Sequence, residues 1–571
     1  MDVTPQQDPE PRQPPEPSPY PPKPEGARDV PPHSTDPEGA TAVPPPPPTL
    51  RTTLRRAVLG TVAAAVLVAG AVVAVPDGDR DRGPKVPGPV ERARAAATEG
   101  SPASLSDLTA LIGDRQKWVG EHPADAPSWA LLGTAYVEWG RRSADAAYYA
   151  RAEEALKRSL EAQPGELGNG DAWVGLAALA NARHDFVAAK RWGETVRARE
   201  PKSWSTYPVL IDAYNGLGDY KAAGRATEKF GQLRKGVPAL ARTADMYRAQ
   251  GWREDALATA REASDRATAP AEKATALHRL GDLAWERGEP EEAVAQYDAA
   301  LHTDGGHHVS LAGRARALTA LGRTDEALAA YQAVAQKLPS PEYVLELGEL
   351  YESLGLDGDA RTQYAKLRTL LSRAKDAGVN ESLLRARYES DHGDADAAVE
   401  LLRAEWSRQH RSAAVADALG WALHRAGSSQ EGLEYARRAV DTGIRNASYA
   451  YHLGTIEREL AKYGSARRHL EEALRTNPAF SPLAVPRAEE ALAALGEPAS
   501  GGPKDMRPEP KPMAEPQSQS RPEPEPTKAA PSKTAAPSPA PSKARRGSPE
   551  PQRPGAAGPP PASPANPSAA G

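Results

Sequence analysis

A glycine recurs along the middle of this chain at a nearly constant interval, and this period limits the possible fold more than any other feature. The spacings between successive members are 33, 37, 34, 33, 38 and 34 residues. The series consists of Gly218, Gly251, Gly288, Gly322, Gly355, Gly393 and Gly427. Between these glycines, apolar residues recur every three or four positions, which is typical of amphipathic helices. The period therefore predicts a stack of similar helical units rather than one compact core.

Small side chains accompany the glycines at two fixed offsets, with Ile211 as the one exception. Five residues after the glycines lie Ala223, Ala256, Ala293, Ala327, Ala360, Ala398 and Gly432. Seven residues before them lie Ile211, Ala244, Gly281, Ala315, Gly348, Ala386 and Gly420. A glycine can adopt the left-handed conformation that ends a helix, and small side chains let two helices approach closely. Each period therefore predicts one helical hairpin.

The hairpin sequences resemble a known repeat. One copy contains, in order, Trp129, Leu132, Gly133, Tyr136, Ala152 and Pro164. This order resembles the tetratricopeptide pattern of Trp-x2-Leu-Gly-x2-Tyr followed by Ala and Pro, and partial matches recur as far as Pro478. The resemblance implies an all-α fold, a right-handed α-solenoid of about ten hairpins over residues 125–478 with a concave face.

The flanking segments have other compositions. Residues 104–124 and 479–497 are predicted to be N- and C-terminal capping helices, because the end units of a solenoid must cover its core. Residues 77–103 are predicted to form a linker. The first fifty residues contain 18 prolines with an acidic excess, and residues 498–571 are rich in Pro, Ala, Ser and Lys. Both ends are therefore predicted to be disordered.

The segment 57–75, which begins at Ala57 and ends at Val75, contains no charged residue. It is long enough to cross most of a ~30 Å hydrocarbon layer as a helix. Arg51, Arg55 and Arg56 precede it, so the positive-inside rule places the N-terminus in the cytoplasm and the repeats outside. We therefore predict a single transmembrane helix within residues 51–76. A cleaved signal peptide and a buried core helix are the alternatives.

Several classes of function find little support. A net charge of −5 does not indicate nucleic-acid binding, and the chain has no cysteine for disulfides or thiolate chemistry. No phosphate-binding loop, nucleophile elbow or zinc-protease motif occurs. The stretch around His302, Asp304, His307 and His308 could in principle hold zinc, but it is better interpreted as a polar turn. We predict no enzyme, no cofactor and no resident metal.

Two positions on the first helix of each hairpin are candidates for partner binding. In the tetratricopeptide family, positions six and three residues before the aligned glycine line the concave groove. Carried over, the candidate groove residues are Asp212, Asn215, Asp245, Arg248, Asp282, Trp285, Glu349, Glu352 and Trp421. The three aspartates would form an acidic stripe that favours a basic peptide, with Trp285 as an apolar anchor. The alternative is a merely solvated polar face.

These observations predict a non-enzymatic, membrane-tethered scaffold that binds a protein or peptide partner, possibly basic, in its concave groove. We expect a bacterial protein of actinobacterial type. A cytoplasm-facing regulatory adaptor is one alternative. A less favoured alternative is an enzyme or glycan-binding subunit whose site has no recognisable motif.

Overall fold

The computed structural model describes residues 87–164 and 169–496, and this part of the chain folds into 23 helices without a β-strand. The helices are α1 Pro89–Glu99, α2 Leu105–Glu121, α3 Ala126–Ser143, α4 Ala147–Ala162, α5 Gly170–Ala182, α6 Phe186–Arg199, α7 Thr206–Leu217, α8 Tyr220–Leu233, α9 Val237–Ala249, α10 Arg253–Arg266, α11 Pro270–Glu286, α12 Pro290–Thr303, α13 His308–Ala320, α14 Thr324–Lys337, α15 Pro341–Ser353, α16 Asp357–Asp376, α17 Ser382–His392, α18 Ala395–Ser407, α19 Ala413–Arg425, α20 Ser429–Val440, α21 Ala447–Glu459, α22 Tyr463–Thr476 and α23 Ala484–Ala494.

Helices α3 to α22 pair in succession as ten hairpins. This confirms the predicted all-helical repeat architecture over residues 125–478. The helices α2 and α23 lie where the capping helices were predicted. The linker prediction for residues 77–103 is wrong in its second half, because α1 forms there and its Ala93 is buried against α2.

The turn inside each hairpin has one backbone geometry. In the hairpin α7–α8, Gly218 takes a left-handed conformation with φ 77°, and the amide of Asp219 donates to the carbonyl of Tyr214. This satisfies a carbonyl that the end of a helix leaves unpaired. The aligned glycines share a positive φ except Gly393, whose φ is −141°. In three other hairpins a non-glycine residue occupies the same place: Ala144, His184 and Ala461.

The small residues lie where the two helices of a hairpin cross. Ala256, Ala293 and Ala327 are completely buried at these crossings. In the hairpin α19–α20 a Cβ atom added to Gly420 would lie 2.7 Å from the backbone nitrogen of Ala436. The predicted role of these positions in close helix packing is therefore confirmed.

The solenoid coils back upon itself. In the first coil, the turns inside the hairpins contact loops that lie eleven helices further along the chain. The amide of Asn380 donates to the carbonyl of Arg183, and the amide of Ala413 donates to the hydroxyl of Tyr220 at 2.8 Å. Asn477 Nδ2 donates to the carbonyl of Trp285 at 2.8 Å. Such partners are 192 to 197 residues apart, and we call this row of contacts the coil seam.

The turn between α1 and α2 makes a different set of long-range contacts. The hydroxyl of Ser101 donates to Glu272 at 2.6 Å, and Arg234 Nε donates to the carbonyl of Glu99 at 3.2 Å. Gly100 lies so close to the ring of Trp204 that a Cβ atom there would be 2.8 Å away. This turn therefore touches three successive loops of the first coil.

The predicted membrane span and the predicted disordered ends lie outside the described residues. Within residues 87–164 and 169–496, no helix combines the length and the apolar character that a membrane crossing requires.

Replacing Gly420 with Ala tests the role of small residues at the helix crossings. The new methyl group would meet backbone atoms of Ala436 and Gly432, which cannot rotate away, so G420A should lower the free energy of unfolding by about 1–3 kcal/mol. The matched control is Gly113→Ala, at an exposed position of α2 with no atom within 4 Å, which should raise it by about 0.5–1 kcal/mol. Urea denaturation measures the free energy of unfolding of both variants. Equal effects of the two substitutions would contradict the packing argument.

Candidate binding channel

The coiled solenoid surrounds a large central cavity that is partly open to solvent. Its volume is about 2100 Å³, and its wall is built from the turn between α1 and α2 and from elements between α3 and α21. One side is formed mainly by α7, α9 and α11, and the other by α15, α16 and α17 with the loops before α19 and α21. The cavity is larger than the ~300–1,000 Å³ of a typical small-molecule pocket.

Four of the nine predicted groove residues lie on the wall of this cavity: Asp212, Asn215, Asp245 and Arg248. The side chain of Asn215 forms no hydrogen bond with another described residue, whereas the other three are ion-paired. The residues Asp282, Trp285, Glu349, Glu352 and Trp421 are not among those that line the cavity. The structure therefore does not bring the predicted row together on one surface.

The acidic stripe is neutralised by arginines of the following hairpin. Asp212 is paired with Arg242, and both carboxylate oxygens of Asp245 accept from Arg279 at 2.7 and 2.8 Å. Burial raises the pKa of Asp245, but Arg279 outweighs it and holds the pKa below its ordinary value. Two aspartates of the predicted acidic stripe, Asp212 and Asp245, are therefore neutralised by arginines, and binding of a basic partner by this row stays a prediction.

The neutralising arginines share one position in the repeat. Arg242 and Arg279 both lie nine residues before an aligned glycine, one turn of helix from the predicted groove row. The same pairing recurs with reversed charges further along, where Arg316 donates to Glu346 at 2.5 Å. Aligning this additional position would have revealed the pairs in the sequence.

The carboxylate of Asp282 contacts two neighbouring side chains, neither of which is an arginine. The hydroxyl of Tyr297 donates to it at 2.7 Å, and His278 Nε2 lies 3.4 Å from its other oxygen. Gly313 occupies the position at which a neutralising arginine would lie, which explains the different partners. Burial raises the pKa of Asp282, but His278 and Arg248 lower it overall.

The predicted aromatic anchors are used for packing. Trp421 is only 6% exposed, its ring stacks on His452 with centroids 4.3 Å apart, and its Nε1 donates to Asp391 at 3.0 Å. Trp285 packs against the core beside the coil seam. Trp421 therefore presents no open aromatic surface, whereas the ring of Trp285 is only partly buried.

Glu349 and Glu352 both face His392. His392 Nδ1 lies 3.1 Å from Glu352 and Nε2 lies 3.7 Å from Glu349, while the hydroxyl of Tyr364 donates to Glu352 at 2.7 Å. Burial lowers the pKa of His392, but the two carboxylates raise it overall. These residues therefore form a charge cluster between hairpins.

Glu342 and Arg387 are two charged wall residues that do not belong to the nine candidate groove residues. Neither side chain forms an ion pair or a hydrogen bond with another residue in the described part of the chain. Burial within the wall, together with nearby Glu346, raises the pKa of Glu342. Arg387 lies six residues before Gly393, in the predicted row, whereas Glu342 lies in the first turn of α15, where no sequence signal marks it.

The histidine-rich turn is a packed polar cluster. His307 is buried and shares hydrogen bonds with the hydroxyls of Ser310 at 2.8 Å and Thr275 at 3.4 Å, and its ring lies 5.3 Å from that of His278. Burial lowers the pKa of His307 to about 3. No group of three or more metal-ligating side chains is arranged for a metal ion in residues 87–164 and 169–496.

Two family models match the middle of the solenoid. Both are described as tetratricopeptide repeat, and they cover residues 241–308 and 284–347. Residues 241–347 consist of tetratricopeptide repeats. The matched tetratricopeptide segment contains the Asp245–Arg279 and Arg248–Glu286 pairs of the cavity wall. No curated protein matches the chain.

Solved structures of tetratricopeptide proteins also align with the chain. A tetratricopeptide repeat protein of Parabacteroides merdae is 18% identical, with a TM-score of 0.28 over 45% of this chain and 98% of its own. A thermophilic tetratricopeptide protein of Thermus thermophilus is 23% identical, with a TM-score of 0.28 over 33% of this chain and 98% of its own. The Cut9–Hcn1 hetero-tetramer of the APC/C contains a chain that is 14% identical, with a TM-score of 0.35 over 72% of this chain and 86% of its own. The repeat assignment rests on the family models.

Replacing His307 with Asn tests the polar cluster through its pH dependence. Because the pKa of His307 falls from 6.5 to about 3 on folding, the unfolded chain binds a proton more readily, and stability is lost as the pH falls from 6.5 towards 3. When the pH falls from about 7 to 4.5, this residue should lower the free energy of unfolding by up to about 2 kcal/mol. Urea denaturation at the two pH values should show that H307N loses less free energy of unfolding than the wild type does. The control His302→Asn, at an exposed position, should leave the loss unchanged, and an unchanged loss in H307N would refute the argument.

Proposed function

We propose that this protein is a non-enzymatic scaffold whose tetratricopeptide solenoid holds an extended segment of a partner polypeptide in the central cavity. Tetratricopeptide repeats generally mediate protein–protein interaction, and this chain contains them at residues 241–347. The main observation in support is the cavity itself, whose volume of about 2100 Å³ exceeds what a small molecule needs.

The cavity wall favours a partner that carries charges of both signs. Asp212 and Asp245 are already neutralised by arginines, so a purely basic segment would have to compete with those pairs. Glu342 and Arg387, by contrast, have charges without an ion-pair partner in the described structure. We propose that a basic side chain of the partner pairs with Glu342 and an acidic one with Arg387.

We further propose that the scaffold is tethered to the cell membrane by residues 57–75, with its N-terminus in the cytoplasm and the solenoid outside. The uncharged composition of this segment and the arginines before it support this orientation. A cytoplasm-facing adaptor is the alternative, and the location of the C-terminal region distinguishes the two.

Variants of the cavity wall test the binding function. Peptides selected on the wild-type protein from a displayed random library should lose affinity by about tenfold in Glu342→Ala and in Arg387→Ala, because each substitution removes one charge-assisted contact. Isothermal titration calorimetry measures the affinities. The matched control is Glu161→Ala on the outer surface, which should bind as the wild type does. Selected peptides that bind all three variants equally well would exclude the cavity as the binding site.

A fusion experiment tests the proposed orientation. Alkaline phosphatase, which is active only outside the cytoplasm, should be active when fused after Glu497, whereas a reporter that works only in the cytoplasm should be inactive there. Replacing Arg51, Arg55 and Arg56 with Glu should reduce the phosphatase activity, because it removes the positive flank. Activity of the cytoplasmic reporter in the unmodified protein would support the adaptor instead.

A further inference from the structure

The cavity wall carries a pair of aromatic side chains with an unused hydrogen-bond donor. Trp139 of α3 and Tyr148 of α4 both line the cavity, and their ring centroids lie 6.0 Å apart. Both rings are only partly buried. An indole N–H can only donate, and Trp139 Nε1 reaches solvent without a hydrogen bond to any other described residue. The wall therefore offers an aromatic surface together with a donor for a carbonyl group.

Unpaired charges of both signs lie on the same side of the cavity. The aromatic pair belongs to one apolar cluster with Val379, which closely precedes Glu381 at the start of α17. Glu342, Glu381 and Arg387 line the cavity, and none of them has an ion-pair partner among the described residues. Burial raises the pKa of Glu342, and Arg387 is close enough to oppose this rise. The two charges are therefore neighbours that leave a gap between them.

The C-terminal segment of this chain combines the features that such a wall would recognise. Residues 504–528, which lie outside the described part, contain five basic and five acidic residues. The motif Arg-Pro-Glu-Pro occurs twice there, at 507–510 and 521–524. Alternating prolines predict a polyproline II helix, whose carbonyls have no internal hydrogen bonds. At ~3.1 Å per residue, the arginine and the glutamate of each motif would lie about 6 Å apart along the axis.

This segment follows directly on an element that packs beside the cavity. The last described helix, α23, packs on α21, and Tyr449 in the first turn of α21 lines the cavity. Burial raises the pKa of Tyr449, and Arg387 is close enough to oppose this rise in part. A helix of 13 residues such as α21 is ~20 Å long. The ten residues between Gly496 and Arg507 span up to ~30 Å when extended, so the first motif can reach the wall.

We propose that residues 504–528 occupy the central cavity of their own chain. The prolines of an Arg-Pro-Glu-Pro motif lie against Trp139 and Tyr148, the arginine pairs with Glu342, and the glutamate pairs with Arg387. The inference rests on the proposed function, because both require a cavity that holds an extended polypeptide. The partly open cavity admits such a segment without a change of the fold.

Self-occupancy would set the affinity that an external partner must exceed. A segment joined to its binding site by a short flexible linker has an effective concentration on the order of millimolar. A partner must therefore displace the C-terminal segment before it binds, and weakly binding polypeptides are excluded. Charge alone would not give this selection, because the wall carries free charges of both signs.

Photo-crosslinking in the full chain tests the proposal. The protein has no cysteine, so Met513→Cys places a single thiol between the two motifs, and Ser568→Cys places one near the C-terminus as the control. Each thiol is labelled with a benzophenone maleimide and irradiated in dilute solution, and mass spectrometry identifies the captured residues. The label at position 513 should capture the cavity wall at least about tenfold more often than the outer surface around Glu161, whereas the label at position 568 should show no such preference.

An exchange of charges tests the specific pairing. In the Met513→Cys background, Glu342→Arg should reduce capture of the wall about tenfold, and so should Arg507→Glu combined with Arg521→Glu. Combining all three substitutions should restore most of the capture, because the opposite charges face each other again. Glu161→Arg on the outer surface is the matched control and should have no effect. Arg387→Ala provides a milder wall variant in case Glu342→Arg folds poorly, which circular dichroism monitors.

Three outcomes would overturn self-occupancy. These are equal capture of the wall from positions 513 and 568, cross-links that form only between molecules and disappear on dilution, and a charge exchange that restores nothing.

Peptides selected from a displayed library separate this inference from the proposed function. They should bind the Arg507→Glu, Arg521→Glu protein about tenfold more tightly than the wild type, because the C-terminal segment no longer competes. If they bind the cavity of both proteins equally well, the inference is wrong and the proposed function stands. If the wall captures the C-terminal segment but neither protein binds any selected peptide, the proposed function is wrong and self-occupancy stands.

Discussion

The contact between successive coils of the solenoid is the constraint on which the rest of the structure depends. The hydrogen bonds named at the seam join residues separated by 192 to 197 positions, and eleven helices lie between them. Stacking of hairpins alone would leave an open groove, as in any solenoid whose units touch only their neighbours. The seam converts that groove into a central cavity that is partly open to solvent. It also explains why Gly251 must lack a side chain, while Gly322 needs only its left-handed backbone.

The charges on the concave side follow from the same stacking. Neighbouring first helices place a position of one hairpin opposite a position of the next, and ion pairs form there in either polarity, as in Asp245–Arg279 and Arg316–Glu346. Because these pairs are partly enclosed by the coils, they are less screened by solvent than surface pairs. Glu342 and Arg387 also line the cavity, and no ion pair within the described residues neutralises them.

Much of the fold could be predicted, because its units are local. The helices, the left-handed turn at Gly218 and the small residues at Ala256 and Ala293 all depend on neighbours within about one hairpin, so a periodic sequence reveals them. The candidate site was predicted less well. Trp421 is packed against His452 in the next hairpin, and Asp212 is paired with Arg242 in the next hairpin. Those contacts depend on how hairpins are rotated against each other, which a single repeat does not encode.

By itself, the sequence determined that the described chain is a series of helical hairpins, since helix periodicity, glycine turns and small crossing residues are local and recur at each repeat. Only the tertiary structure decided that the series coils tightly enough to touch itself. The small rotation between successive hairpins accumulates over eleven helices, so minor differences in packing determine whether distant turns meet. For that reason, the central cavity and the coil seam could not be predicted from the repeat pattern.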